Sequence, residues 1–280
     1  MRNIGLLLSC LFASVCGYTQ ESIPFRLTTH NNLIVQARVN QKDSLDLMFQ
    51  IAMEEGAISP EPKHRPTTIV FDKTGYSSAN TVQILNHQWD NIPFIDKQYS
   101  GQESDGKIGT QLFKDRIFEI NYDASAFVLY DAMPSTEGYQ AIPISFRDGI
   151  MFIEVESEIN KKLHKHWFYL QSGYSGTILY DDAFSEKNQL KEELKTMNEI
   201  VLKNSAGQSV ITNHAVIDQV SIGGFVLAKP TIGYFTGELK THPISLFGAD
   251  MLKRFNWIIN ADRTMAWIKP SKYYDLPYSM

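Results

Sequence analysis

Short runs in which apolar and polar residues alternate dominate the chain and predict β-strands. Leu33–Val39 and residues 152–159 show this two-residue period, which places every second side chain on the same face of a sheet. Turn-forming residues precede both runs, Asn31-Asn32 before the first and Asp148-Gly149 before the second. Helical patterns are few, at residues 110–115, 249–255 and 181–195. The pattern therefore predicts an all-β protein with short helices.

An internal repeat divides the chain. The segment 109–123 recurs as 248–262, with Gly, Lys, Ile, Asn and Asp at the same offsets and no gap. The similarity extends backward in each half to a strand, an Asn-x-Lys turn at Asn40 or Asn160, and an apolar strand that ends in glutamine. A repeat fixes architecture before any local pattern does. We therefore expect two similar halves, a boundary near residues 133–139, and a shared site where the halves meet.

Composition narrows the function classes. A chain of 280 residues, 43% hydrophobic and 20% charged, suits a globular protein with a sizeable core. The formal net charge is -5, and basic residues are scattered among acidic ones. Nucleic-acid binding requires a basic surface, so we expect no nucleic-acid partner.

The first residues resemble a secretory signal. Arg2 supplies a positive start, residues 4–15 are apolar but too short to span a bilayer, and Gly17 offers a small residue for cleavage. We predict a signal peptide at residues 1–17 and a secreted or periplasmic protein. A lipid anchor on Cys16 is the less favoured alternative, because Val15 is not small.

Cysteine usage and hydropathy exclude several kinds of protein. Both cysteines, Cys10 and Cys16, fall within the predicted signal, so we expect no disulfide and no cysteine-based zinc site in the mature chain. No later apolar run is long enough for a membrane helix, so an integral membrane protein is not expected. The expected organisation is a signal peptide (1–17), an N-terminal β lobe (18–135) and a C-terminal β lobe (136–280).

Motifs in both halves resemble those of aspartic proteases, in which an apolar strand ends in Asp-Thr/Ser-Gly and two apolar residues with a glycine follow later. Gln171-Ser172-Gly173-Tyr174-Ser175-Gly176-Thr177 resembles the Asp-Ser-Gly-x-Ser-Gly-Thr form with one change. Leu246-Phe247-Gly248-Ala249-Asp250-Met251-Leu252 resembles Leu-Gly-x-Asp-Phe-Leu, and Asp105-Gly106-Lys107-Ile108-Gly109 resembles Asp-Gly-Ile-Ile/Leu-Gly. Phe49-Gln50-Ile51-Ala52 departs from the first motif at every position.

The chain thus resembles, nearly end to end, the two-lobed pepsin-like enzymes, more specifically the retropepsin-like aspartyl proteases that bacteria secrete. The resemblance implies a pepsin-like acid-protease fold of two pseudo-two-fold-related β-barrels with short helices. It also implies two facing aspartates that share one proton, one activating water and the other polarising the scissile carbonyl. Glutamine stands at both matching positions, Gln50 and Gln171. An amide cannot act as the base near neutral pH, so we expect no catalytic residue there.

The resemblance also implies a cleft around these positions. Its expected residues are Gln50, Ile51, Ala52, Tyr76, Gln171, Ser172, Gly173 and Tyr174, with Gly109 and Gly248 supporting the motifs. We interpret the two amides as hydrogen-bonded to each other and to nearby backbone amides. A flap over the cleft would come from residues 71–81 with Tyr76 at its tip, and the alternative is an ordinary exposed hairpin. Tyr174 would line the groove or pack beside it.

Other candidate catalytic or metal-binding residues have weaker support in the sequence. The stretch from Gly173 to Thr177 lacks the last glycine of a G-x-S-x-G nucleophile elbow. The seven histidines show no metal-binding spacing, and we expect His164 and His166 on the surface before a strand.

Paired or repeated acids have simpler explanations. A helix cap explains Asp181-Asp182, and turns explain the repeat-matched Asp123 and Asp262. We expect no metal and no cofactor.

Three functions follow. The first is a secreted aspartyl-protease-like protein that is catalytically inactive and whose cleft binds an extended peptide by strand addition or serves as a scaffold. The second is an active peptidase or hydrolase of the aspartyl protease family that uses unrecognised residues, such as acids near the cleft. The third is a structural envelope protein in which the duplicated barrel provides stability. The sequence specifies neither ligand nor oligomeric state.

Overall fold

A computed structural model describes residues 21–203, 209–237 and 242–278 of the chain. Its strands are β1 (Glu21–Pro24), β2 (Arg26–Leu27), β3 (Leu33–Val39), β4 (Asp43–Phe49), β5 (Gly56–Ile58), β6 (Tyr76–Ile84), β7 (His87–Ile95), β8 (Gly106–Ile108), β9 (Ile117–Asn121), β10 (Ala126–Tyr130), β11 (Gln140–Arg147), β12 (Ile150–Ile159), β13 (Lys162–Gln171), β14 (Ile178–Tyr180), β15 (Asn198–Lys203), β16 (Ser209–Val216), β17 (Gln219–Ile222), β18 (Phe225–Ala228), β19 (Thr231–Gly237), β20 (Leu246–Gly248), β21 (Phe255–Ile259) and β22 (Met265–Pro270). The helices are a 3-10 turn (Thr110–Phe113), α1 (Asp182–Lys187), α2 (Leu190–Glu193) and α3 (Ala249–Leu252). The protein is all-β and two-lobed, as its strand pattern predicts.

The two lobes share one central arrangement of strands. In the N-terminal lobe the order is β3-β4-β8-β5-β7, and β6 pairs with both β7 and β3, which closes the sheet. In the C-terminal lobe the matching order is β12-β13-β20-β14-β19. Strand β4 runs parallel to β8, and β13 runs parallel to β20, while the next neighbour is antiparallel in both lobes. The strand before each glutamine therefore occupies the same place in each half.

A sheet of strands from both halves joins the lobes, in the order β1-β10-β9-β21-β22-β11. Its central pair, β9 and β21, is formed by the two copies of the sequence repeat. Glu119 lies opposite Ile258, its repeat equivalent, and the flanking pairs are exchanged as a two-fold axis requires, with Phe118 opposite Ile259. The pseudo-two-fold axis predicted from the repeat thus passes between Glu119 and Ile258.

Matching turns also reveal the duplication. Asn40 and Gln41 both have positive φ (49° and 60°), as do Asn160 and Lys161 (49° and 64°). Two successive residues with positive φ are typical of the type I′ turns that suit two-residue β-hairpins. The Asn-x-Lys turns therefore connect β3 to β4 and β12 to β13 with the same geometry.

Buried polar side chains fix the region where the halves join. The side chain of Asn256, fully buried, accepts hydrogen bonds from the Tyr122 and Asp123 backbone amides (2.7 and 3.3 Å) and donates to the Asp123 carboxylate (2.6 Å). Asp123 also accepts from the Lys272 backbone amide, 2.6 Å away. Asp123 therefore belongs to a turn that binds the other half, and Asp262 lies in the equivalent turn.

The C-terminal segment is held by one buried arginine. The guanidinium of Arg254, 1% exposed, donates to the carbonyls of Tyr274 and Leu276 at 2.8 and 2.7 Å and to the carboxylate of Asp250 at 2.9 Å. Its Cζ also lies 3.9 Å from the ring centroid of Tyr278. Residues 273–278 thus complete the hydrogen bonding and packing of the buried Arg254 guanidinium inside the C-terminal lobe.

Several element boundaries differ from the sequence prediction. The helices after Gly109 and Gly248 end at Phe113 and Leu252, because Lys114 is extended and β21 begins at Phe255. The stretch 181–195, where one or two surface helices are expected, forms two, and Asp181 caps the first through the Phe184 amide at 2.8 Å. His164 and His166 lie within β13 instead of before it, so the prediction of their position is wrong.

Candidate functional site

Gln50 and Gln171 lie at the ends of the two equivalent central strands. The Gln50 backbone amide donates to the Ile108 carbonyl at 2.9 Å, and Gln171 lies in register with Gly248 on β20. Gly109 and Gly248 permit this close packing. A Cβ at Gly109 would lie 2.4 Å from the Glu54 carbonyl oxygen, and one at Gly248 would lie 2.2 Å from that of Gly176. Both glycines are therefore required because a neighbouring backbone passes too near for any side chain.

The two glutamine side chains meet beside Gly173. A Cβ at Gly173 would lie 2.4 Å from Nε2 of Gln50 and 3.2 Å from Oε1 of Gln171. The structure thus brings together the two positions that the resemblance pairs, and it leaves Gly173 as the residue that makes room for them.

The two amides are not hydrogen-bonded to each other among the described residues, so that part of the interpretation is wrong, whereas each does accept a hydrogen bond from a nearby backbone amide. Gln50 Oε1 accepts from the Ala52 amide (3.4 Å). It also lies 3.2 Å from Ser172 Oγ, whose single proton is directed mainly to the nearer Phe49 carbonyl. Gln171 Oε1 accepts from the Gly173 amide (3.0 Å), and its Nε2 donates to the Tyr169 hydroxyl (2.8 Å). Local backbone and hydroxyl groups compete successfully for both amide oxygens. A backbone amide of its own loop therefore orients each glutamine, and Gln50 also contacts Ser172 of the other lobe.

Ser172 connects the lobes directly. Its hydroxyl accepts from the Ile51 backbone amide at 2.9 Å and donates to the Phe49 carbonyl at 2.7 Å. Ile51 is the matching residue of the other half, and its side chain has no hydroxyl to return the interaction. Of these two equivalent residues, only Ser172 therefore provides a hydroxyl that bonds to the backbone of the opposite lobe.

A second connection was not anticipated from the sequence. Asn31 and Asn32 form the predicted turn before β3, but their amides also reach the other lobe. Asn32 Nδ2 donates to the Ser172 carbonyl at 3.1 Å, and Asn31 Nδ2 donates to the Ser175 carbonyl at 2.8 Å. Lys253 Nζ in turn donates to Asn31 Oδ1 at 2.8 Å. The loop after Gln171 is thus held by the N-terminal lobe from two directions.

The β11–β12 turn lies beside the loop that follows Gln50, just as the Asn31-Asn32 turn lies beside the loop that follows Gln171. A Cβ on Gly149 would lie 3.4 Å from the carboxylate of Glu54, in the loop that follows Gln50. Each glutamine loop therefore faces a hairpin turn of the opposite lobe.

Tyr76 and Tyr174 have different positions. Tyr76 is 41% exposed at the start of β6 and lines a surface recess with Asn40 and Phe71. Among the described residues it has no hydrogen bond or ring contact with either glutamine. The ring of Tyr174 packs against the backbone at Gly176 and Gly248, and burial raises its pKa to about 12. Tyr174 therefore supports the motif by packing.

A Ser-His-Asp cluster lies under α1, away from the glutamines. His166 Nε2 is 2.8 Å from Asp181 Oδ2 and 2.9 Å from Ser245 Oγ, and the serine donates to the same carboxylate oxygen at 2.7 Å. A nucleophilic serine must pass its proton to the histidine, while the carboxylate holds the other ring nitrogen. Ser245 is 1% exposed and is committed to Asp181, so this cluster is structural.

The described residues contain no group of three or more His, Asp or Glu side chains arranged to bind a metal ion. Within the same part of the chain, no helix has the length and hydropathy needed to cross a bilayer.

Comparison with solved structures supports the fold. The structure superposes on a crystal structure of the aspartic proteinase from Irpex lacteus with a TM-score of 0.61, covering 93% of this chain and 100% of that one at 10% identity. No protein-family model and no curated protein sequence matches the chain. At this identity the similarity establishes the pepsin-like aspartic proteinase fold and nothing about chemistry.

Proposed function

We propose that this protein is a secreted, catalytically inactive relative of aspartic proteases that binds an extended peptide between its lobes. The observation that carries the proposal is the meeting of Gln50 and Gln171 beside Gly173, where the fold would otherwise present two carboxylates. An amide neither takes a proton from water nor donates one as an acid near neutral pH. Two amides therefore leave the site without an acid-base pair.

A binding role is supported by what the site retains. Both hydrogen bonds of the Gln50 side chain among the described residues are made by Oε1, and the residue keeps 8% of its surface exposed. Its Nε2 therefore provides an unused donor between the two glutamine loops, suited to a ligand carbonyl. The groove also keeps the glycines and the Ser172 bridge that shape it. An extended backbone offers carbonyl and amide groups at regular spacing and so matches such a surface.

A cleavage and binding assay tests the proposal. The chain without residues 1–17 is incubated with a diverse peptide library from pH 3 to 8, with mass spectrometry for cleavage and fluorescence anisotropy for binding. We expect saturable binding without cleavage. The double variant Gln50→Ala, Gln171→Ala should weaken binding and still cleave nothing.

The alternative, an active peptidase, predicts a different result. Cleavage that the double variant loses would contradict inactivity and assign turnover to the glutamine site. Cleavage that the double variant retains would place a separate active site elsewhere in the molecule. Export is part of the same proposal, and N-terminal sequencing of protein recovered from the producing cells checks cleavage near Gly17.

A further inference from the structure

An aromatic surface leads away from Gln171 along the outer face of β12 and β13. Gln171 Nε2 is bonded to the hydroxyl of Tyr169, whose ring centroid lies 6.2 Å from that of Phe152 on the neighbouring strand. The guanidinium carbon of Arg147, on β11, lies 4.4 Å from the Phe152 centroid. Gln171, Tyr169, Phe152 and Arg147 thus form a continuous series, which we call the aromatic platform.

The platform is open to ligand. Tyr169 and Phe152 are half-buried, and Arg147 is exposed. Arg147 makes no ion pair with any described residue, and its guanidinium stacks on the Phe152 ring instead. A stacked guanidinium keeps its edge of N–H donors free, and that edge matches a carboxylate in two parallel hydrogen bonds.

The other charges near the platform are only partly balanced. Glu156 lies directly opposite Lys165 on the same face. Glu154 lies opposite Trp167, and Asp148 is exposed in the turn that follows Arg147. Arg147 is therefore the cation available beside the aromatic rings, although the adjacent carboxylates reduce its attraction for an anion.

We propose that the aromatic platform selects peptides that place a carboxylate next to an apolar side chain, with Arg147 binding the carboxylate and Phe152 and Tyr169 packing against the apolar group. This inference rests on the proposed peptide-binding function. Arg147 lies two strands from Gln171, about 10 Å at the usual strand spacing, which corresponds to about three residues of extended chain. The carboxylate belongs either to an acidic side chain or to the peptide's C-terminus.

Binding of designed peptides tests the selection. The probes are fluorescein-labelled octapeptides with one Leu-Phe pair in an alanine background and a C-terminal amide, in which Glu or Gln stands one to four residues from the pair on either side. A further probe has no Glu but a free C-terminal carboxylate. At low salt we expect the best Glu peptide to bind about tenfold more tightly than its Gln twin, and the difference to shrink at high salt.

Variants assign the selection to Arg147. Arg147→Glu should abolish the preference for Glu, while Arg147→Lys, which keeps the charge but loses the planar fork, should reduce it to about threefold. Arg38→Glu is the matched control, because Arg38 is exposed on β3 and forms no ion pair within the described part of the chain, and it should keep the full preference. Thermal unfolding checks that all three variants fold. A change of Trp167 fluorescence on binding, absent in Trp167→Phe, provides a second readout at the platform.

The possible results separate this inference from the proposed function. Equal affinity for Glu, Gln and free-carboxylate probes, or a preference that survives Arg147→Glu, overturns the platform's selectivity while peptide binding stands. Absence of binding by every probe overturns both. A preference for the free carboxylate over internal Glu supports the inference and identifies the C-terminus as the group that Arg147 binds.

Discussion

At the scale of single residues, the hydroxyl of Ser172 does most to join the two glutamine loops. It bonds to the backbone on both sides of Gln50, and all these groups are buried. Removing a hydroxyl that pairs buried backbone groups leaves them without partners, at a cost of about 1–3 kcal/mol.

Ser172→Ala should therefore lower the free energy of unfolding by about 1–3 kcal/mol, measured by urea denaturation. Ser172→Thr retains the hydroxyl and should lose much less. Ser175→Ala, at an exposed position in the same loop, is the surface control. Equal stability of Ser172→Ala and the wild type would show that the hydroxyl bridge contributes nothing.

The carboxyl of Asp181 leads to a prediction on how the stability of the protein depends on pH. Burial by itself raises the pKa of this carboxyl, but hydrogen bonds from His166, the Phe184 amide and Ser245 outweigh it and hold the pKa at about 2. A carboxyl with a depressed folded pKa stabilises the protein above its unfolded pKa, near 3.8, and that stabilisation is lost as pH falls through about 2. Its size is about 2 kcal/mol.

Asp181→Asn should therefore reduce stability at pH 6 and flatten the loss of stability between about pH 5 and pH 2. Urea unfolding at a series of pH values measures both effects. Asp148→Asn, in an exposed turn, should leave the profile unchanged. A profile in Asp181→Asn as steep as that of the wild type would show that this carboxyl does not drive the acid sensitivity.

At the scale of elements, the two Asn-x-Lys turns allow a matched test. Lys161 and Gln41 hold positive φ at the second turn position, where a side chain is strained and glycine is not. Lys161→Gly and Gln41→Gly should each raise the free energy of unfolding by up to about 1 kcal/mol. Lys162→Gly, in the adjoining strand, should lower it. Destabilisation by both turn substitutions would contradict the type I′ assignment.

The strands and turns also show which features of the fold can be predicted from the sequence. Alternation and turn residues predict β3 and the hairpin turns because these depend on neighbours in the chain. The repeat predicts that Gln50 and Gln171 are equivalent, and the fold brings them together. Strand β13 begins earlier than predicted, because polar residues occupy both of its faces between Lys162 and Trp167 and hide the alternation.

The contacts between the lobes cannot be predicted from such local patterns. Asn31 and Asn32 are typical turn residues, and nothing local distinguishes an asparagine that also bonds another lobe. The same holds for His166, whose partners Asp181 and Ser245 are brought to it by the folding of distant segments. Tertiary proximity, which one sequence does not encode in any simple spacing, decides these roles.

At the scale of the whole molecule, the shared sheet predicts that the lobes unfold together. Strand β9 of one half is paired with β21 of the other, and Asn256 bonds the turn after β9. Calorimetry should show one transition. Asn256→Ala should lower the unfolding free energy by about 2–4 kcal/mol, because several buried groups lose their partner, and should keep that single transition. Asn86→Ala, in an exposed turn, is the control. Two resolved transitions in the wild type would show that the lobes are independent.

The buried Arg254 also sets a condition on biosynthesis. The carbonyls that surround its guanidinium belong to residues 273–277, which follow Arg254 by 19 to 23 positions along the chain. Until those residues have been synthesised, the guanidinium has the Asp250 carboxylate but not these carbonyls, and the C-terminal lobe cannot close around it at low cost. Completion of the lobe must therefore wait until residue 277 has emerged, and a chain cut before residue 273 would bury a guanidinium whose hydrogen bonds are only partly made.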